Sequence, residues 1–215
     1  MRLFPSRAQC VRNIRQFPQR DASELAEIWQ AFGRLPTQDF LIELEGKVSR
    51  LLRRWQAYRN QPSQRNERFL QELVHDTQTW EAFSTLVQSS RAATNLTAAL
   101  EQKDAIETVY DFLKGHMLQN RIPARIVTVT KVLLMVLGFT PAFDSVVLKQ
   151  IKKANPNVLA CPGVWPFCLY YETLQYVSNE QVSWEARNGR MSELLPGVPI
   201  GQIMDRILWR ESKRS

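Results

Sequence analysis

Glycine is scarce in this chain of 215 residues, at eight, and cysteine scarcer still, at three. So few glycines disfavour a fold built from many tight turns and short strands. Cys10, Cys161 and Cys168 form an odd set with no CxxC pair, which argues against a disulfide framework and against a structural zinc site. The two histidines, His75 and His116, lie far apart and in no HxxxH or HxE pattern, so no metal is expected. Gly163, Gly189, Gly197 and Gly201 are too scattered for a phosphate-cradling loop, and no cofactor is expected. The longest apolar run, "VLLMVLGF", is too short to span a bilayer. The start, "MRLFPSRAQCVRNIRQF", lacks the hydrophobic stretch of a secretory signal. Its Arg-rich, acid-free composition is that of a mitochondrial transit peptide, yet an ordered basic segment in a cytoplasmic protein is the expectation. There is no RNP aromatic pattern, no KH-type GxxG loop and no Cys/His finger.

What the chain does have is a core. Hydrophobic residues make up 44% and charged residues 23%, with six Trp and ten Phe, which is the balance of a folded globular protein. The apolar spacing is helical nearly throughout. Leu25, Ile28, Trp29 and Phe32 follow i, i+3, i+4, i+7, with Asp21 and Glu24 as a capping-box-like start. A longer helix is expected from about Asp39 to Tyr58, with Leu41, Leu44, Val48, Leu51, Leu52 and Trp55 on its core face. Others are expected from about Asn66, with a possible break near Asp76, within "SRAATNLTAALEQ", in "KDAIETVYDFLKGHM", in "FCLYYETLQYV" and in "PIGQIMDRILWRES". "RIVTVTKVLLMV" is ambiguous, because its β-branched content also suits a strand. Its length, with Pro123 at a first-turn position and Gly138 at a C-cap, favours a buried helix. The expectation is therefore all-α: residues 1–20 a basic segment, 21–215 one bundle-like domain of about seven to nine helices, with a possible sub-boundary near 155–165.

The net charge of +7 is unevenly spread. Residues 1–20, 47–68 and 121–153 are basic, and the stretches between them are acidic. Arg50, Arg53 and Arg54 follow i, i+3, i+4 spacing, and Lys149, Lys152 and Lys153 repeat it. Such triads suit a phosphate track, although Arg and Lys on helix surfaces also serve simply as solvated charge.

Within "GFTPAFDSVVLK", Thr140-Pro141 reads as an N-cap followed by Pro at the first helical position, with Asp144 in the first turn, or else Asp144 is itself the N-cap of the following helix. Lys131, on the preceding helix, can approach it across the turn. A helix, a turn and then this Asp resembles the catalytic corner of helix-hairpin-helix DNA glycosylases, over about thirty residues. The resemblance implies Asp144 as the carboxylate supporting base excision and Lys131 as a nucleophile. The chain lacks that family's Gly-x-Gly hairpin, and its Lys-to-Asp interval is shorter. Separately, Arg68 and His75 in "RFLQELVH" are similar to the Arg-x(4–6)-His signature of HEPN-type ribonucleases. That implies His75 as general acid or base and Arg68 as a phosphate stabiliser. Phe69 departs from the polar residue usual there. His116 reads as a helix-end residue, and Cys168, in "WPFCLYY", as a buried thiol.

Together these features favour a non-catalytic or accessory helical protein that engages nucleic acid or a nucleoprotein partner through basic helix faces. The alternatives are a helical enzyme acting on DNA or RNA, and a protein-interaction or assembly subunit with no polyanion ligand. A cleft holding a carboxylate of displaced pKa favours the enzyme, and a broad exposed apolar patch favours the assembly subunit.

Overall fold

The apolar residues that recur at three- and four-residue intervals each face inward on a helix in the computed structural model, which describes residues 2–33, 38–57, 65–92, 95–158 and 163–211. Among them are eleven α-helices: α1 (Arg7–Arg15), α2 (Gln19–Phe32), α3 (Gln38–Arg54), α4 (Phe69–His75), α5 (Thr77–Ala92), α6 (Leu96–Leu100), α7 (Lys103–His116), α8 (Ile126–Val136), α9 (Ser145–Ala154), α10 (Phe167–Asn188) and α11 (Ile200–Glu211). No strand occurs among the described residues, only an isolated bridge between Arg65 and Leu118. The all-α, bundle-like class holds.

The count exceeds nine for two local reasons. The basic N-terminal segment contains a helix of its own, α1, started by Ser6, whose hydroxyl accepts the Gln9 N–H. The pattern from Asn66 takes the break that its sequence allows near Asp76 and forms two helices, because Asp76 ends α4 in an extended conformation and its Oδ1 accepts the Thr79 N–H of α5 (2.8 Å). Helix α4 has no side-chain cap from Arg68. The buried Glu45 of α3 serves instead, accepting from Leu70 N–H and Gln71 Nε2 (2.9 Å each). Burial raises the Glu45 pKa to about 7.

Helix α8 sits at the centre, packed against α2, α3 and α7. It is buried on nearly every face, which is why its sequence lacks the polar stripe that marks a surface helix. Val132, Leu133, Val136 and Leu137 are all at most 2% exposed. The ambiguous segment is thus a helix, but it begins at Ile126 and not at Pro123, since Arg125 is its extended N-cap. Tyr110 of α7 stacks on Tyr170 of α10 (4.5 Å between centroids) and donates from Oη to the Trp165 carbonyl (3.0 Å). On the other side, α9 packs on α11 and α11 on α1.

Further expectations need correcting. Asp21 and Glu24 form no capping box: α2 begins earlier, at Gln19 after Pro18, and both carboxylates pair with Arg54. Cys168 is exposed, because Phe167 and Tyr170 take the inward positions of that turn. Helix α3 ends at Arg54, and the expected end at Tyr58 lies outside the described residues, as does Cys161.

Candidate functional site

A tight corner between α8 and α9 organises the site. Gly138 leaves α8 with φ +71°, in the left-handed region. Its N–H reaches the Leu133 carbonyl (3.0 Å), closing the helix end. A Cβ at Gly138 would lie 2.5 Å from the Pro199 Cβ, so the turn and the packing both require glycine. The corner is then tied to its neighbours by three bonds: Gly201 N–H to the Gly138 carbonyl (2.8 Å), Ala142 N–H to Asp205 Oδ1 (3.0 Å), and Phe143 N–H to Thr130 Oγ1 (2.8 Å). Asp144 follows as the N-cap of α9, its Oδ1 accepting from Val146 and Val147 N–H (2.9 and 3.0 Å). Thr140 and Pro141 do not start that helix.

This corner forms one wall of a cleft of about 520 Å³. Lys131 (α8), Asp144 (α9) and Asp205 (α11) line it, facing the C-terminal end of α3 at Trp55 and the α1–α2 junction at Phe17 and Pro18. Asp205 and Trp209 also share a face of α11, one turn apart. The Trp209 ring meets Phe17 edge-on at 5.8 Å. Lys131 Nζ donates to the Trp55 carbonyl (2.8 Å) and lies 5.6 Å from the centroid of the Trp55 ring. A cation there meets the orphan carbonyls and the negative end of the α3 dipole. The Trp55 indole N–H donates to Asp21 Oδ2 (3.0 Å), while Asp21 Oδ1 holds Arg54 (2.7 Å).

The electrostatics follow from burial. Asp205 has its pKa pushed up to about 7, first by desolvation and then by the nearby Asp144 charge, against the lowering influence of Ala142 N–H, Lys131 and Arg206. Lys131 is shifted downward by burial, opposed by Asp144 and Asp205. The cleft therefore sets a carboxyl that keeps its proton up to about pH 7 beside an amine that burial shifts down from its ordinary range. Among the described residues, no group of His, Cys, Asp and Glu is arranged to hold a metal ion.

The residues singled out in the sequence fall in different places. Lys131 and Asp144 line the same cleft. Arg68 and His75 lie exposed at opposite ends of α4, Arg68 just outside the helix and His75 its last residue. Arg50, Arg53 and Arg54 are exposed near the end of α3, but Arg54 is engaged by Asp21 and Glu24 and Arg53 by Glu67 (3.5 Å). Lys149, Lys152 and Lys153 are exposed along α9, with no ion pair to any described residue. His116 closes α7, stacked on Phe112 at 4.0 Å.

Asp205, Trp209, Phe17 and Asp21 were missed as site residues. The one available signal for Asp205 was an acid set between the core positions Met204 and Ile207 of an amphipathic helix. Trp55 was assigned to the core, yet it follows the last residue of α3 and is half-buried. No family model, curated protein or solved structure matches this chain. Among the described residues no helix is long and apolar enough to cross a membrane.

Proposed function

We propose that this protein handles nucleic acid and holds a single unstacked base, or the sugar beneath a missing one, in the Lys131–Asp144–Asp205 cleft. The observation that carries this reading is the cleft itself, where a volume of about 520 Å³ combines indole rings with a buried amine and a buried carboxyl of raised pKa. Aromatic faces stack on any base, and ring-edge polar groups need donors and acceptors of this kind. Arg15 precedes Phe17 by two residues in the chain, which puts positive charge near the mouth, whereas Arg20 is paired with Glu24 (3.4 Å). Lys149, Lys152 and Lys153 supply a further basic face for the backbone, whereas the ion pairs of Arg53 and Arg54 remove most of the α3 triad from that role.

A second reading, that the cleft also catalyses, is favoured by Lys131 alone. An amine shifted toward its neutral form can add to the C1′ aldehyde of an abasic site and expel water to give an imine. Borohydride reduces such an imine to a stable secondary amine.

Fluorescence anisotropy with single- and double-stranded DNA and RNA tests the binding reading. Trp209→Ala is expected to weaken binding by about 1–3 kcal/mol, the usual contribution of stacking per base. Undiminished binding in that variant removes the base from the cleft. Borohydride trapping on abasic DNA separates the two readings: a covalent adduct that disappears in Lys131→Met supports catalysis, and binding without an adduct leaves recognition alone.

A further inference from the structure

A second cavity, of about 430 Å³, lies where the beginning of the chain crosses the end of α10. Arg2 and Arg187 line it, both exposed and in no ion pair with a described residue. Ser6, the N-cap of the nine-residue helix α1, also lines it. The Ser6 hydroxyl is occupied by Gln9 N–H, which leaves the Arg7 and Ala8 N–H groups at the positive end of the helix dipole. On the α9 side stands Gln150, only 3% exposed, whose Nε2 has no hydrogen-bond partner. A buried amide donor left unmade carries a free-energy cost that a ligand would remove.

The remaining polar groups are already committed. Trp184 donates from its indole to the Pro5 carbonyl, and Asn188 from Nδ2 to the Trp184 carbonyl. No carboxylate is among the residues lining the cavity. Two guanidinium groups, a helix N-terminus and an unsatisfied amide donor all select for negative charge, and the nearby carboxylates are engaged, Glu180 by the Leu3 N–H (3.1 Å) and Glu193 by Arg7 (3.5 Å). Together they offer more donors than the two oxygens of a carboxylate can use, and they suit the several oxygens of a tetrahedral dianion.

We infer that this cavity binds a phosphate group, with Arg2 and Arg187 supplying charge and Gln150 Nε2 and the first turn of α1 supplying hydrogen bonds. The site is separate from the Lys131 cleft and does not depend on its function. The phosphate comes either as a free ion or small nucleotide, or as the terminal phosphate of a strand.

Titration calorimetry at constant ionic strength distinguishes these sources, using inorganic phosphate, a nucleoside 5′-monophosphate, and an oligonucleotide with a 5′-phosphate against its 5′-hydroxyl twin. The expected result is saturable 1:1 binding of at least one phosphate probe. That binding should fall at least tenfold in the Arg2→Gln/Arg187→Gln double variant. Both arginines are exposed, so the double variant should keep the parent's circular dichroism spectrum. A 5′-phosphate advantage lost in the double variant assigns the site to strand ends. Binding of inorganic phosphate or the mononucleotide with no such advantage assigns it to small phosphates. Absence of saturable binding by every probe, or equal binding in the double variant, overturns the inference.

Discussion

Asp144 and Asp205 are both aspartates of the same cleft, and their partners give them different tasks. Asp144 spends one oxygen on two N–H groups of α9. Asp144→Asn is expected to cost little, because Asn also caps well, and Asp144→Ala to cost about 1 kcal/mol in urea denaturation. Asp205 has a raised pKa, so the folded state holds its proton more tightly than the unfolded chain does. Its contribution to stability is then full below the unfolded value near pH 4 and is lost as pH rises toward about 7. Lys131, Asp144 and Arg206 are the charges acting on it. Asp205→Asn keeps an acceptor for Ala142 N–H and should flatten the fall in stability between about pH 4 and pH 7. Glu45, also raised to about 7, keeps some of the slope in place. Denaturation midpoints that keep the parental pH dependence would contradict this. A structural role for Asp144 at the helix start was legible from the sequence, but the choice between Thr140 and Asp144 as the N-cap was not, and the structure makes it Asp144. The proton-holding role of Asp205 was not, because its cause is the packing of α11 on the corner, more than sixty residues away in the chain.

Among the elements, α8 shows how far periodicity carries. A helix buried on every side has no polar stripe, so its β-branched residues read equally as a strand, and length and flanking residues had to decide. Its start was misplaced at Pro123, since proline suits a first turn but equally suits the extended chain before one. The same complete burial makes Leu133→Ala expensive, about 2–5 kcal/mol. Gly138→Ala combines a positive φ with a collision against Pro199 and is expected to destabilise by at least about 1 kcal/mol. It should also perturb the cleft, because the corner that follows Gly138 carries Ala142 and Asp144. Fluorescence of the cleft tryptophans in the folded variant checks this, and an unchanged spectrum would show that the corner tolerates the shift.

At the scale of the whole molecule, sequence blocks of charge became two unlike surfaces. On α3 the acids of α2 and Glu67 neutralise Arg54 and Arg53, a tertiary pairing that local spacing does not reveal. On α9 the lysines remain exposed. Replacing Lys149, Lys152 and Lys153 with Gln should therefore weaken binding across sequences and lower the slope of log K against log salt by up to about 3 on duplex DNA. Replacing Arg53 and Arg54 should change that slope less. The reverse ranking would assign the backbone to α3. The base itself is located most directly by photocrosslinking. An oligonucleotide carrying one 5-iodouracil is irradiated in complex with the protein, and the attached peptide is identified by mass spectrometry. Attachment at Trp55, Trp209 or Phe17, lost in Trp209→Ala or moved to its neighbours, is the predicted result. Attachment confined to residues outside the cleft, in a complex that forms normally, would contradict the account.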